Sequence, residues 1–81
     1  MSYFVYVLKS QKDNKNYIGS TSDVEKRLAF HNKGLQRSTR TRTPFVLIYH
    51  EEFTTKQEAL KRELYIKSLK GGEAFKKLLG I

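Results

Sequence analysis

The sequence predicts an α+β fold in which a small, mainly antiparallel three-stranded sheet is flanked by helices, in the order β-β-α-β-α-α. Three observations support it. Two aromatic and β-branched segments separated by a polar turn open the chain, a third such segment lies near its middle, and capping-box patterns precede two helical stretches. Because a hairpin opens the chain, its strands are expected to run antiparallel. The 81 residues show no repeat or linker, so one domain over residues 1–81 is expected.

A β-hairpin is expected over about residues 3–21. Residues 3–9, which read YFVYVLK, are aromatic and β-branched, as is typical of a strand buried on both faces. Residues 11–16 are polar and have turn chemistry, and the extended pattern resumes over residues 17–21. The two strands should therefore lie side by side.

The first helix is expected over about residues 23–32. Ser22 and Glu25 have the spacing of a capping box, which marks the start of a helix. Gly34 suits the position just after a helix ends, because that position often has a positive φ. Residues 35–44 are polar and end at a proline, so a loop is expected there.

Two more helices are expected near the end of the chain. Thr55 and Glu58 form a second capping box, which opens a helix that reaches about Leu69. The pair Gly71-Gly72 should stop this helix. A short final helix is expected over residues 74–79.

The chain is strongly basic, with 16 lysines and arginines against 8 aspartates and glutamates, a formal net charge of +8. A nucleic acid is a natural partner for such a surface, because phosphate contacts supply most non-specific affinity. A lysine-rich face that only keeps the protein soluble is the alternative, and charge alone does not separate the two. The apolar run from Phe45 to Tyr49 opens the third expected strand, Phe45–Phe53, and no apolar run in the sequence exceeds six residues, which is far too short to span a membrane. With no signal-peptide pattern and no cysteine, a cytoplasmic location is expected.

Arg27 and His31 are the first candidates for chemistry. They are four residues apart, so they project from the same face of the first helix, beside the apolar stripe of Val24 and Leu28. One interpretation is a cation and an acid–base group directed into a cleft. The other is an arginine whose alkyl chain covers the core and a half-buried core histidine. A zinc centre is not expected from two histidines and no cysteine, and no nucleotide-binding loop is present.

Glu63 is the second candidate. On a helical wheel it falls between Ala59 and Ile66 on one side and Leu60 on the other. A carboxylate near an apolar face is costly unless it is paired or binds a metal. Lys67, four residues later, could supply the pairing, so both interpretations stay open.

Tyr6 and Tyr17 lie on the two hairpin strands. Such pairs are most often packing contacts, and a phenol with a pKa of about 10 acts as a base near neutral pH only with help. The loop from Gln36 to Thr43, which reads QRSTRTRT, suits phosphate contacts but could equally be a mobile, solvated loop.

Taken together, these residues resemble the GIY-YIG nuclease family, specifically its small single-domain members. The second motif of the family is present as Tyr17-Ile18-Gly19, while Phe4-Val5-Tyr6 stands where Gly-Ile-Tyr would be. Arg27 and His31 match the arginine and histidine of the family's first helix, and Glu63 matches the glutamate of the helix after the third strand. The resemblance covers nearly the whole chain.

The resemblance implies metal-dependent hydrolysis of phosphodiester bonds in DNA, with one divalent ion, Mg²⁺ or Mn²⁺, bound by Glu63. It implies that Arg27 neutralises the scissile phosphate. It also implies that Tyr6 or Tyr17 deprotonates or orients the attacking water while His31 assists proton movement. The resemblance leaves open which tyrosine is the base.

The resemblance also implies a nucleic acid, most often DNA, as the partner of a monomeric chain, with a protein partner as one source of specificity. The residues expected to contact nucleic acid are Lys9, Gly19, Arg37, Arg40 and Arg42. The alternative is a non-cleaving nucleic-acid-binding module. Phe4 in the first motif and the absence of asparagine after Asn32 keep this alternative open. A third reading is a basic adaptor for an acidic protein.

Overall fold

One antiparallel sheet forms the centre of the protein in a computed structural model that describes residues 2–80. The strands are β1 (Tyr3–Ser10), β2 (Asn16–Thr21) and β3 (Phe45–Phe53), in the spatial order β2-β1-β3. The α-helices are α1 (Val24–Asn32), α2 (Lys56–Ser68) and α3 (Glu73–Leu79), and a short 3-10 helix, Arg40–Arg42, lies within the segment expected to be a loop. The predicted fold class and element order are confirmed. No helix in the described part of the chain is long and apolar enough to cross a membrane.

The central strand β1 is buried on both faces, as its apolar run predicted, and side chains that alternate along it enter two separate clusters. Val5 and Val7 pack on the face covered by α2 and α3, with Ala59, Ile66 and Phe75. Tyr6 and Leu8 pack on the face covered by α1, with Phe45, Tyr17, Val24 and Leu28. The sheet is therefore the middle layer between α1 and the pair α2 and α3.

The start of α1 differs from the sequence prediction. Asp23, not Ser22, is the N-cap, and its Oδ1 accepts a hydrogen bond of 3.0 Å from the Lys26 backbone N–H. Thr21 selects this residue, because its hydroxyl accepts from the Asp23 backbone N–H at 3.2 Å. A carboxylate at this position also interacts favourably with the helix dipole. Gly34 has the predicted positive φ, +74°, just after the helix end.

Both ends of α2 are close to their predicted positions. The Thr55 hydroxyl accepts from the Glu58 backbone N–H at 3.2 Å and donates to the Glu58 carboxylate at 2.9 Å, so the second capping box is confirmed. The helix ends at Ser68, and the left-handed turn begins at Lys70, with φ +51°, one residue before the glycine pair.

A partly buried ion pair between Arg62 and Glu51 holds α2 against β3. Arg62 donates from Nε to Glu51 Oε1 at 2.8 Å and from Nη2 to Glu51 Oε2 at 3.1 Å, and the Tyr49 hydroxyl also donates to this carboxylate. A bidentate arginine–carboxylate contact restrains orientation as well as distance. Because Arg62 immediately precedes Glu63 on α2, this contact helps to fix the rotation of the helix that carries Glu63.

Candidate active site

The phenol of Tyr6 lies across the backbone of the edge strand β2 at Gly19. The two residues are paired across the strands. A Cβ atom added to Gly19 would lie 2.5 Å from Tyr6 Oη and 2.7 Å from Tyr6 Cζ. Gly19 is therefore required sterically, because only a residue without a side chain leaves room for the buried phenol. Its contact with nucleic acid stays a prediction.

His31 connects α1 to the Tyr6 phenol and to the loop that follows the helix. It is 1% exposed. Its Nε2 lies 3.3 Å from Tyr6 Oη, and its Nδ1 lies 2.9 Å from Thr39 Oγ1. The Tyr17 ring packs on the imidazole with 4.7 Å between ring centroids. The structure thus brings together both tyrosines and the histidine that the sequence singled out.

Burial keeps the Tyr6–His31 pair uncharged. Burial, reinforced by the neighbouring Tyr17, raises the pKa of Tyr6 well above its ordinary value, so the phenol keeps its proton at neutral pH. Burial and, to a smaller extent, the positive charge of Arg27 lower the pKa of His31 below 6.5. At neutral pH the pair is therefore a neutral phenol beside a neutral imidazole that can accept a proton.

The free energy of unfolding is expected to fall as the pH is lowered through and below about 6.5, because of His31. The pKa of His31 is lower in the folded than in the unfolded chain, so the unfolded state binds a proton first and is favoured on acidification. Urea unfolding between about pH 7.5 and 5.5 checks this, since carboxyl groups titrate mainly below that range.

The matched comparison for this pH dependence is His31→Gln against His50→Gln, because His50 is the other histidine and is exposed. His31→Gln should remove most of the change in unfolding free energy over this range, and His50→Gln should preserve it. A pH dependence that survives in His31→Gln would contradict the assignment.

Arg27 lines a cleft of about 290 Å³ between the end of β2, α1 and the first turns of α2. Its guanidinium lies 5.2 Å from the Phe30 ring centroid. Within residues 2–80 no carboxylate lies within 4.0 Å of it, so it is available to an anion. Lys56 adds a second cation to the cleft wall, and hydroxyl groups are contributed by Ser20, Thr21 and Ser22. Cations and hydroxyl groups together are suited to a phosphate.

Glu63 lies on α2 one turn after Ala59, which lines the same cleft. The side chain of Glu63 is 14% exposed, and Lys67 Nζ lies 2.6 Å from its Oε2. The ion pair that the sequence offered as an alternative is therefore present. The charge of Glu63 also reaches the phenol, because it contributes to the raised pKa of Tyr6 after burial and Tyr17.

Glu63 offers a single carboxylate to a magnesium-type ion, whose remaining ligands would be water and substrate phosphate. No group of three or more histidine, aspartate or glutamate side chains suited to a metal occurs among the described residues. Mg²⁺, however, commonly binds through one or two carboxylates together with water and substrate phosphates. Hydrogen bonding from residues 2–80 reaches only Oε2 of Glu63, which leaves Oε1 for a ligand.

The loop between α1 and β3 contains two kinds of arginine. Arg37 and Arg40 are exposed. Arg42 instead donates from Nε to Asp13 Oδ2 at 3.0 Å and stacks over Phe45, 5.6 Å from its ring centroid. Arg42 thus helps to attach the loop to the hairpin turn, and its predicted contact with nucleic acid remains a prediction.

Lys9, which is expected to contact nucleic acid, and Phe4, which departs from the first motif, both lie away from the Arg27 cleft. Lys9 is half-buried at the turn end of β1, opposite Asn16 and far along the strand from the cleft. Phe4, which occupies the first position of the first motif, packs against the His50 ring with 6.1 Å between centroids and is not part of the wall of the Arg27 cleft. The bulky side chain therefore leaves that cleft open.

Sequence reasoning missed two residues of this site. Lys56 had a weak signal, since a lysine in the first turn of a helix is unusual beside a positive helix end. Thr39 had none, because it is one of three threonines in the loop segment QRSTRTRT, and only the fold shows that it is the buried one.

Residues 2–77 match the GIY-YIG catalytic domain, so the chain belongs to the GIY-YIG family. The proteins it is similar to are small bacterial UPF0213 proteins. It is 48% identical over 67 residues to one from Staphylococcus haemolyticus, which covers 82% of this chain and 80% of that protein. It is 45% identical over 69 residues to UPF0213 protein YazA of Bacillus subtilis, covering 84% and 69%.

A solved structure supports the same fold. The solution NMR structure of a UPF0213 protein from Bacillus halodurans is 34% identical, with a TM-score of 0.51. The similarity covers 95% of this chain and 94% of that one. The α+β architecture described above is therefore that of this group of proteins.

Proposed function

We propose that this protein is a divalent-metal-dependent endonuclease that hydrolyses phosphodiester bonds in DNA. The observation that carries the proposal is that Arg27 lines a cationic cleft while its charge reaches both members of the buried, hydrogen-bonded Tyr6–His31 pair, with Glu63 one helical turn from the cleft wall. Membership of the GIY-YIG family supports a nucleic acid as substrate and a divalent metal as cofactor.

Arg27 would bind the scissile phosphate. Its guanidinium has no carboxylate partner among the described residues, and a planar donor can contact two phosphate oxygens at once. Lys56 in the same cleft would bind the same or an adjacent phosphate. Glu63 would hold Mg²⁺ or Mn²⁺, which supplies Lewis-acid stabilisation of the charge that develops on phosphate oxygens.

Tyr6 would act on the attacking water. Its phenol keeps its proton, so it becomes a base only as that proton leaves for His31 Nε2, 3.3 Å away. The water oxygen bonds to phosphorus and its proton passes to the Tyr6 oxygen, while the bond from phosphorus to the leaving oxygen breaks and that oxygen takes up a proton from solvent. The Tyr17 ring packs against His31 at an interplanar angle of 60° and would help to keep the imidazole in place. This assigns the base role to Tyr6, which has a proton acceptor.

Under the same proposal the chain acts as a cytoplasmic monomer with a single domain over residues 1–81. Arg37 and Arg40 are exposed and would contact the sugar-phosphate backbone beyond the cleft. Phosphate contacts carry no sequence information directly. Specificity would therefore come from DNA structure or from a protein partner.

A non-cleaving nucleic-acid-binding module is the second candidate. The observation that favours it is the ion pair between Lys67 and Glu63, which occupies one oxygen of the carboxylate that would hold the metal. Such a protein would bind nucleic acid with strong salt dependence and release no product.

The test is a cleavage assay on end-labelled single-stranded, duplex, flap and branched DNA, with Mg²⁺, Mn²⁺ or EDTA. Arg27→Ala protein, purified in parallel, controls for contaminating nucleases. Products that require the metal and are at least about a hundredfold reduced with Arg27→Ala are expected. Salt-sensitive binding without products on any substrate would replace the nuclease by the binding module.

A further inference from the structure

Thr39 is a buried polar residue that touches the proposed proton-transfer pair but has no role in the chemistry described so far. It lies in the exposed arginine loop between Arg37 and Arg40, yet is only 1% exposed itself. Its Oγ1 lies 2.9 Å from His31 Nδ1 and 3.4 Å from the Gln36 carbonyl oxygen. A buried hydroxyl on a histidine nitrogen can determine which nitrogen carries the proton.

Only one tautomer of His31 gives every hydrogen of the Tyr6, His31 and Thr39 side-chain donors an acceptor. If Nδ1 of His31 carries the proton, it donates to Thr39 Oγ1, the Thr39 hydroxyl donates to the Gln36 carbonyl, and the Tyr6 hydroxyl donates to the bare Nε2. If Nε2 carries the proton instead, it donates to Tyr6 Oη, and the phenolic hydrogen then has no acceptor among residues 2–80. Leaving a buried hydroxyl hydrogen unpaired is unfavourable.

The other neighbours of His31 cannot make this choice. Tyr17, Phe30 and Phe45 contact the imidazole through their rings, with centroid distances of 4.7, 5.9 and 5.9 Å. None of these rings accepts a conventional hydrogen bond from Nδ1 in the described structure. Thr39 is thus the partner on the far side of the imidazole from Tyr6.

We propose that Thr39 is a positioning residue whose hydroxyl holds His31 in the Nδ1–H tautomer, so that Nε2 is free to accept the phenolic proton of Tyr6. The catalytic consequence rests on the proposed nuclease function, whereas the tautomer is a property of the resting protein. Because Thr39 belongs to the loop that carries Arg37 and Arg40, the loop proposed to contact nucleic acid would also orient the proton acceptor.

Long-range ¹H–¹⁵N correlation spectra of the ¹⁵N-histidine-labelled protein, at a pH where His31 is neutral, test the tautomer directly. The chain has two histidines, so His50→Gln assigns the signals. We expect wild type and Thr39→Ser to show a protonated Nδ1 and a bare Nε2 in His31, and Thr39→Val to lose this preference. An Nε2–H tautomer in wild type, or an unchanged tautomer in Thr39→Val, would overturn the proposal. Thr39→Ala replaces the valine variant if the latter does not fold.

The cleavage assay tests the catalytic half separately. We expect Thr39→Val to cleave about tenfold to a hundredfold more slowly at saturating DNA, with unchanged DNA affinity, and Thr39→Ser to restore most of the rate. Equal rates for Thr39→Val and wild type would refute the catalytic half. If wild type does not cleave at all, the nuclease function fails, while the spectra still decide whether Thr39 sets the tautomer.

Discussion

Replacing Glu63 with glutamine is expected to lower the cleavage rate at least about a thousandfold with either Mg²⁺ or Mn²⁺. Glutamine has nearly the same size but lacks the negative charge that a hard divalent cation requires. A thousandfold loss corresponds to about 4 kcal/mol of transition-state stabilisation, which is in the range that a bound metal ion supplies. The fold should persist, because the Lys67 partner is half-exposed and such pairs contribute about 1 kcal/mol or less.

Single-turnover cleavage and calorimetric titration with Mn²⁺ provide two independent measurements on this variant. Glu58→Gln is the matched control, since it removes one carboxylate from the same helix at an exposed position. It should lose some stability through the weakened capping box but keep its rate and metal affinity. Unchanged Mn²⁺ binding in Glu63→Gln would show that the metal is held elsewhere.

Gly19→Ala is expected to have the second largest effect, on stability and activity together. The new methyl group would lie 2.5 Å from Tyr6 Oη, and the buried ring has little space in which to retreat. Relieving such an overlap costs about 1–3 kcal/mol of unfolding free energy. It also moves the phenol relative to His31 Nε2, and a displacement of about 1 Å can reduce a rate a hundredfold.

A double-mutant cycle with Tyr6→Phe identifies the cause. Removing the phenolic oxygen abolishes the closest of the overlaps, so Gly19→Ala should cost less stability in the Tyr6→Phe background than in wild type. Cleavage should stay low in every variant that lacks the Tyr6 hydroxyl. Equal stability losses in both backgrounds, measured by urea unfolding, would mean that the contact at Gly19 does not involve the phenol.

Much of the fold could be predicted from local patterns. The uninterrupted apolar run of β1 predicted burial on both faces, and the structure confirms it. The Thr55–Glu58 capping box was also confirmed. The predicted N-cap of α1, Ser22, was wrong because Ser22 and Asp23 are both good N-cap residues. The choice between them depends on the Thr21 hydroxyl, which accepts from the Asp23 backbone N–H.

The site could be predicted only in part. Four-residue spacing placed Arg27 and His31 on one helix face, but it left their burial open, and the structure shows a buried, hydrogen-bonded histidine beside a half-buried arginine. Local sequence patterns could not predict contacts between segments that are far apart in the chain. Arg42 binds Asp13, which is 29 residues away, and Thr39 meets His31 only because the loop folds back over α1.

The absence of a side chain at Gly19 also limits how β1 and β2 can align while the chain folds. Tyr6 fits only opposite a residue without a side chain. A slip of two residues would place Tyr17 or Thr21 there, on the face that the phenol must occupy. A slip of one would exchange the two faces of β2, so that Tyr17 and Ile18 would each leave the cluster in which they pack. Misaligned hairpins are therefore penalised by a contact within the hairpin itself, and one glycine helps to ensure that a small chain reaches a single native pairing.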